Sequence, residues 1–365
     1  SSAASDVYKR QRLKKNTSLP SRVNILADSV YLNQKEPTTT PIPAVNIAFS
    51  ASPTGGFISG LTMIAGPSKH FKTAFGLLMM KSYLDANPEG IALFYDSEFG
   101  TPQEYFDTFG IDTTRVVHVP ITNLEELKFD LVKQLKEVTV EDKLFIMVDS
   151  VGNLASKKEV DDAEAGKSTA DMTRAKQFKS LFRMVTPHLS CNDIPMVAIN
   201  HTYDSQGLFP TKVVSGGTGM YYSADNIWII GRQQEKDGSE LTGYNFIINV
   251  EKSRYVKEKS KIPVSVKFEG GIDKWSGMIE MALDAGCISQ SGAWYQLVDT
   301  ETGEVHDKKY RAKQLTTNEI MIPIISSKMF LEHIHEKYSI SSGKTIIAPD
   351  ETQGIIEIML GEGNA

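Results

Sequence analysis

The sequence predicts an α/β fold: a mainly parallel sheet flanked by helices, with an N-terminal arm before it and a small C-terminal subdomain after it. Three observations carry that expectation. From about residue 60, short apolar runs alternate with stretches of helical spacing, which requires crossovers and hence parallel pairing with helices on both faces. Between the first apolar run and the first long helix lies the loop Gly66-Pro67-Ser68-Lys69-His70-Phe71-Lys72-Thr73. After residue 225 the helical signals thin out, and the remaining runs read as antiparallel additions at one sheet edge.

Residues 1–45 read as the arm. Lys9, Arg10, Arg12, Lys14 and Lys15 crowd positive charge into one short stretch, and turn-prone residues 37–43 separate it from the predicted core at 46–270. Residues 61–65, bounded by Gly60 and Gly66, form a buried strand, and 72–84 form a helix stopped by Asn87-Pro88. Further strands are predicted at 91–95, 116–119, 144–148 and 196–199, with helices at 103–109, 124–135 and 172–185. The runs 227–230, 244–250 and 264–268 are the edge strands. Residues 271–365 mix helical and turn signals and form the appended subdomain.

Composition bounds what such a fold can do. With 41% hydrophobic and 23% charged residues, the 365-residue chain can build a core without staples. Cys191 and Cys287 are its two cysteines, which excludes a disulfide framework or four-cysteine zinc site and fits a reducing, cytosol-like compartment. No apolar run reaches the roughly 18 residues that span a bilayer, and no signal-peptide pattern opens the sequence. A net charge of −6 argues against nucleic-acid binding by bulk charge, so such a partner would have to meet local basic patches.

The 66–73 loop follows a buried strand and opens a helix. In that context backbone N–H groups and a helix N-terminus converge on anionic oxygens. The contact run extends to Ala74, with Lys72 placed to reach the β- and γ-phosphates of a nucleotide and the Thr73 hydroxyl to help hold Mg²⁺. Phe71 stands where the generic pattern G-x-x-x-x-G-K-[ST] has its second glycine, so its side chain must point away from the phosphates. Asp149 closes the run 144–148, at the strand end where open α/β sheets bind ligands, and can hold the metal directly or through water. Asp96 and Glu98 close the run 91–95, where a carboxylate can orient and deprotonate a water attacking the γ-phosphate. Taken singly, each acid is more commonly a helix cap or solvated turn residue. Convergence of three strand ends on one nucleotide favours a site.

These segments resemble the RecA-type recombinases, specifically the UvsX recombinases of tailed phages, from about residue 44 to about residue 300. The resemblance rests on the phenylalanine-bearing loop, on Phe94-Tyr95-Asp96-Ser97-Glu98-Phe99-Gly100, and on Asp149-Ser150-Val151-Gly152-Asn153-Leu154-Ala155-Ser156-Lys157-Lys158. Ala198-Ile199-Asn200-His201-Thr202-Tyr203, Gly216-Gly217-Thr218-Gly219 and Glu251-Lys252-Ser253-Arg254 extend it. It implies a RecA-like P-loop ATPase core that uses ATP and Mg²⁺, forms a helical filament on single-stranded DNA and exchanges strands with duplex DNA. It further implies single-strand-binding and mediator proteins as partners, and the cytoplasm of an infected bacterial host as location. By position it makes Glu98 the catalytic glutamate, Lys72 and Thr73 the phosphate and metal contacts, and Asp149 the Walker B carboxylate. Tyr105 falls on the aromatic that stacks on adenine, although packing within a helix accounts for it equally. His201 takes the place of a γ-phosphate-sensing glutamine.

The connections 156–171 and 202–217 match the family's two DNA-binding loops. The first carries Lys157, Lys158 and Lys167 among acidic residues. On the helix after it, Lys176 and Arg183 share a face and match phosphate-binding arginines, with a solvated amphipathic helix as the alternative. In the second, Leu208-Phe209 lies where RecA wedges residues between base steps, and Gly216 and Gly217 offer N–H groups to DNA phosphates. Lys252 and Arg254, two apart on a predicted strand, point together. They match paired lysines that reach a neighbour's ATP and assist catalysis in trans. Val23, Ile25, Leu26, Val30 and Leu32 of the arm are expected to bury against the adjacent protomer. Two other readings fit the same core: a helicase or RadA-like processing ATPase, and a nucleotide-binding filament mediator. The recombinase-type 202–217 segment argues against the first, and the presence of both Glu98 and Asp149 against the second.

Overall fold

Buried residues in the central strands alternate between two apolar clusters. Phe145 and Met147 join one, Ile146 and Val148 the other, and Phe94 and Tyr95 divide in the same way. Strands buried on both faces are what a parallel sheet covered by helices requires. The computed structural model describes residues 2–19, 23–29, 35–167, 173–205 and 212–340. In chain order its elements are α1 (Ser2–Lys15), α2 (Pro43–Ser50), β1 (Gly60–Ala65), α3 (Lys72–Ala86), β2 (Ile91–Asp96), α4 (Gln103–Thr108), β3 (Val116–Pro120) and α5 (Leu124–Glu137). Then come β4 (Leu144–Asp149), α6 (Lys157–Glu164), α7 (Thr173–Cys191), β5 (Pro195–Asn200), β6 (Thr202–Asp204), β7 (Lys212–Val214), α8 (Thr218–Ser223), β8 (Asn226–Asp237), β9 (Glu240–Lys252), β10 (Lys261–Lys267) and β11 (Gly271–Ile272). The C-terminal part holds α9 (Met278–Asp284), β12 (Ile288–Ser291), β13 (Trp294–Val298), β14 (Val305–Tyr310), α10 (Ala312–Leu315), α11 (Asn318–Ser326) and α12 (Lys328–Tyr338).

The large sheet runs β11-β10-β9-β8-β1-β5-β4-β2-β3. From β8 to β3 every pairing is parallel, and β9, β10 and β11 extend it antiparallel. The run at 227–230, expected as an antiparallel addition, is therefore corrected: β8 lies parallel to β1, with Thr62 opposite Asn226. A parallel neighbour needs a crossover, and α8 lies in it. That short helix is masked in sequence by the glycines around it. Two connections expected as plain loops also carry structure. The first contains α6, and the second contains the antiparallel pair β6–β7, with Thr202 opposite Val214.

Core packing also begins earlier than the expected end of the arm. Thr38 pairs with Phe57, and Pro43 starts α2 at a position where its missing N–H costs nothing. The buried Asn46 side chain fixes this corner. Its Oδ1 accepts from the Thr40 N–H and the Thr40 hydroxyl, each at 2.9 Å, while Nδ2 donates to Thr40 O at 2.9 Å and Pro53 O at 3.0 Å. In the arm, α1 exposes its basic residues and Leu26 is exposed, while Val30 and Leu32 lie outside the described residues. At the other end, β12-β13-β14 form a small antiparallel sheet. Met278, Phe330 and Ile334 share the buried cluster of Val264 from β10, so this subdomain packs directly on the antiparallel edge. Among the described residues no helix is long and apolar enough to cross a membrane.

Asn46→Ala should cost about 2 kcal/mol or more of stability in urea unfolding, because it strands several buried backbone groups at once. A change below about 0.5 kcal/mol would show that this corner does not hold α2 in place.

Candidate active site

The 66–73 loop leaves the carboxyl end of β1 and enters α3, as its sequence context requires. Gly66 lies so close to β8 that a Cβ there would come within 3.1 Å of the Ile230 carbonyl oxygen. Lys69 and Phe71 both adopt the left-handed conformation, each with φ of 59°. The His70 ring bonds the Ser68 carbonyl at 2.8 Å, and burial lowers its pKa. Lys72 is only 7% exposed, and its ammonium donates to Pro67 O at 2.8 Å. Burial lowers its pKa, while the nearby Glu98 and Asp149 carboxylates favour its charged form.

β2, β4 and β5 end beside this loop because they run parallel to β1 in one sheet. Thr73 Oγ1 donates to Asp149 Oδ2 at 2.7 Å. The other oxygen, Asp149 Oδ1, is buried and makes no hydrogen bond among the described residues. Burial is the main reason that the Asp149 pKa rises to about 6, with Glu98 and Asp96 adding like charge. A desolvated carboxylate with one free oxygen, next to a hydroxyl, suits a hard divalent cation that takes most of its other ligands from water and phosphate. Among the described residues no cluster of three or more His, Cys, Asp or Glu side chains forms a closed metal cage.

Asp96 and Glu98 separate into different tasks. Asp96 Oδ1 accepts from the Glu98 and Phe99 N–H groups at 3.0 and 2.8 Å, and its Oδ2 faces His118 at 3.3 Å, so it shapes the turn. Glu98 Oε1 instead accepts from Ser150 Oγ at 2.6 Å, Asn153 Nδ2 at 2.8 Å and His201 Nε2 at 3.0 Å. The His201 bond, followed by that from Ser150, holds the Glu98 pKa below the ordinary carboxylate range. Gly152 permits this crowding, since a Cβ there would lie 2.6 Å from the His201 ring. Tyr105, on α4, is half-buried with an edge-on contact to Phe109 at 5.7 Å; burial, then the Asp149 charge, raises its pKa.

Comparison with known proteins gives the family. A family model described as the RecA N-terminal domain matches residues 30–273. A second, described as the C-terminal domain of the bacteriophage T4 recombination and repair protein, matches residues 275–334. The chain belongs to the RecA family. The "Recombination and repair protein" of Enterobacteria phage T4 is 48% identical over 322 residues, covering 87% of this chain and 82% of that relative. "Protein RecA" of Bacteroides thetaiotaomicron is 26% identical over 301 residues, covering 81% and 88% respectively.

The remaining predicted residues fall into four groups. Lys157 and Lys158 are exposed on α6, and Lys176 and Arg183 are exposed on α7. Gly216 and Gly217 have φ of 100° and 76° and immediately precede α8. Leu208 and Phe209 lie outside the described residues. Lys252 and Arg254 do not share a strand face as expected, because β9 ends at Lys252. The Lys252 ammonium donates to the Tyr221, Tyr222 and Ala224 carbonyls at 2.9, 3.2 and 2.7 Å, while Arg254 pairs with Asp225 at 2.5 Å. The sequence reading also missed functional neighbours. Ser150 and Asn153 lie within 149–158, yet their bonds to Glu98 join residues 52 and 55 positions apart and follow only from the fold. Arg174 fixes the path of this segment from α7, donating to Leu154 O at 2.7 Å and Gly152 O at 2.6 Å.

The raised Asp149 pKa has a definite sign. Above about pH 6 the folded protein carries a buried charge that disfavours folding, and protonation removes that penalty as pH falls. In nucleotide-free protein, Asp149→Asn should therefore raise the melting temperature at pH 8, by an amount that reflects up to about 3 kcal/mol, and should lose this advantage near pH 4. Equal effects at both pH values would show that Asp149 is not desolvated as described.

Proposed function

We propose that this RecA-family chain is a DNA-dependent ATPase that forms filaments on single-stranded DNA and carries out homologous pairing and strand exchange in its phage's recombination, replication and repair, within the host cytoplasm. The observation that carries the reading is the convergence of Lys72, the Thr73–Asp149 pair and Glu98 at the carboxyl ends of neighbouring parallel strands. The T4 relative, named for recombination and repair, supports the choice of process.

Thr73 and Asp149 would hold Mg²⁺, which when bound neutralises phosphate charge. The N–H groups of 66–74 and the N-terminus of α3 favour anionic oxygens, and Lys72 adds a cation that burial keeps close to them. Glu98 is held ionised by three donors on one oxygen, which leaves its second oxygen to take a proton from the attacking water. His201 links that base to the second connection. Its N–H bonds Asn200 Oδ1, Asn200 Nδ2 donates to Ser215 O, and Ser215 N donates to His201 O. A change of state at Gly216 and Gly217 therefore has a short hydrogen-bonded route to Glu98. Lys157, Lys158, Lys176 and Arg183 supply exposed charge for DNA phosphates, so DNA affinity should fall with salt.

Arg254 cannot serve the phosphates of its own chain. It meets Asp225, whose carboxylate accepts from the Leu61 N–H at the start of β1, whereas the loop begins at the other end of that strand, about 17 Å away. Lys252 and Arg254 fit instead a contact with the next protomer's nucleotide. The face they occupy includes a cavity of about 500 Å³ bordered by Lys35, Phe49, Phe57 and Arg254.

Glu98→Gln should keep ATP binding while slowing turnover by about 10²-fold or more, whereas Lys72→Ala should weaken ATP binding itself. Turnover of Glu98→Gln at the parent rate, measured with saturating single-stranded DNA, would remove Glu98 from the proposed role.

A further inference from the structure

The phenylalanine within the phosphate loop poses a physical problem. Phe71 has φ of 59° and ψ of 18°, a conformation that glycine adopts freely and a bulky L-residue resists. Lys69, two residues earlier, has the same φ. A loop with two such residues needs an outside support, and the β8–β9 pair supplies one. The Phe71 ring stacks on Phe246 of β9 with centroids 5.0 Å apart and planes within 19°, and meets Phe75 of α3 edge-on at 5.5 Å. Phe246 is buried. Directly across the ladder from Phe246 is Arg232 of β8. Its Nη1 donates to the Lys69 carbonyl at 3.1 Å, and its guanidinium lies over the Tyr244 ring at 4.7 Å. Two adjacent cross-strand residues thus grip the two left-handed residues of the loop. Close packing of Gly66 on Ile230 gives a third fixed point on the same strand pair.

We propose that Phe246 and Arg232 are positioning residues for the phosphate loop, acting through Phe71 and the Lys69 carbonyl to hold it in its nucleotide-binding shape. This deepens the reading of 66–73 as a phosphate loop and rests on it. Where the generic loop relies on glycine's freedom to adopt the required conformation, this chain imposes that conformation from the antiparallel edge of the sheet. An aromatic stack and a charged donor to a carbonyl are directional contacts, so the anchor fixes both the position and the orientation of the loop backbone. The orientation matters because the same backbone supplies the N–H groups that meet anionic oxygens.

The test uses the full chain and a fluorescent ATP analogue, with thermal unfolding as a control. Phe71→Gly restores the generic glycine, so the two possibilities predict opposite signs. If Phe246 and Arg232 position the loop, Phe71→Gly weakens nucleotide binding by about tenfold despite relieving the backbone, and Phe71→Tyr, which keeps the stack, binds like the parent. Phe246→Leu weakens binding similarly, with the loss in KM much larger than that in kcat. The double variant Phe71→Gly/Phe246→Leu is then no worse than either single one, as expected for residues acting through one contact. Arg232→Gln also raises KM. Binding by Phe71→Gly as tight as the parent's, or tighter, overturns the proposal, as does full additivity of the two single effects. A parent protein that binds no ATP at all would instead defeat the phosphate-loop reading, a distinct outcome visible before any variant is made.

Discussion

The hydrogen bond from Thr73 to Asp149 is the contact on which the rest of the site depends. It joins the first turn of α3 to the end of β4, and so fixes the distance between the phosphate loop and the strand that carries the acid. Without it, the loop would be tied through the sheet to β8 and β5, the neighbours of β1, but not to the end of β4 that carries Asp149. The remaining Asp149 oxygen is buried without a hydrogen-bond partner among the described residues. Folding has thus placed a desolvated charge where a cation's binding energy can offset its cost. The three donors that gather on Glu98 complete the arrangement by favouring its ionised form.

Sheet polarity bears directly on the proposal that the chemistry spans two copies of the chain. Parallel strands put every loop between strand and following helix at one end, and the phosphate loop, Glu98, Asp149 and His201 all occupy it. β9 runs the other way. It carries Phe246 beneath the phosphate loop and ends at Lys252, among the carbonyls that close α8. One strand therefore touches the chain's own phosphate loop and also reaches the opposite face, where a neighbour's nucleotide would sit. Lys252 in turn clamps the helix that follows Gly216 and Gly217, so the proposed DNA-facing connection lies within one short helix of the proposed intersubunit contact.

Much of this was legible in the residues. The core strands and helices from 60 to 200 are strongly periodic, and the order strand, loop, helix around Lys72-Thr73 gave the site its location. What could not be read depended on contacts between distant segments. β8 is as apolar as an edge strand would be, and only its crossover through α8 makes it parallel to β1. Residues 37–43 look like a turn because Pro37, Pro41 and Pro43 dominate them, yet Asn46 ties them to the core. Alternation placed Lys252 and Arg254 on one face, but alternation fails where the strand ends. The need for Phe71 to turn away from phosphate followed from the missing glycine, whereas its partner Phe246 lies 175 residues further along the sequence and is invisible to any local pattern.

The most direct test of the account is ATP turnover by the full chain with Mg²⁺, measured without DNA and then with saturating single-stranded DNA. If the site is completed by a neighbour's Lys252 and Arg254 when chains assemble, turnover per chain should be low without DNA and should rise to a plateau as DNA is added. Turnover that is already maximal without DNA, and unchanged by adding it, would contradict a catalytic site shared between neighbours on a DNA filament.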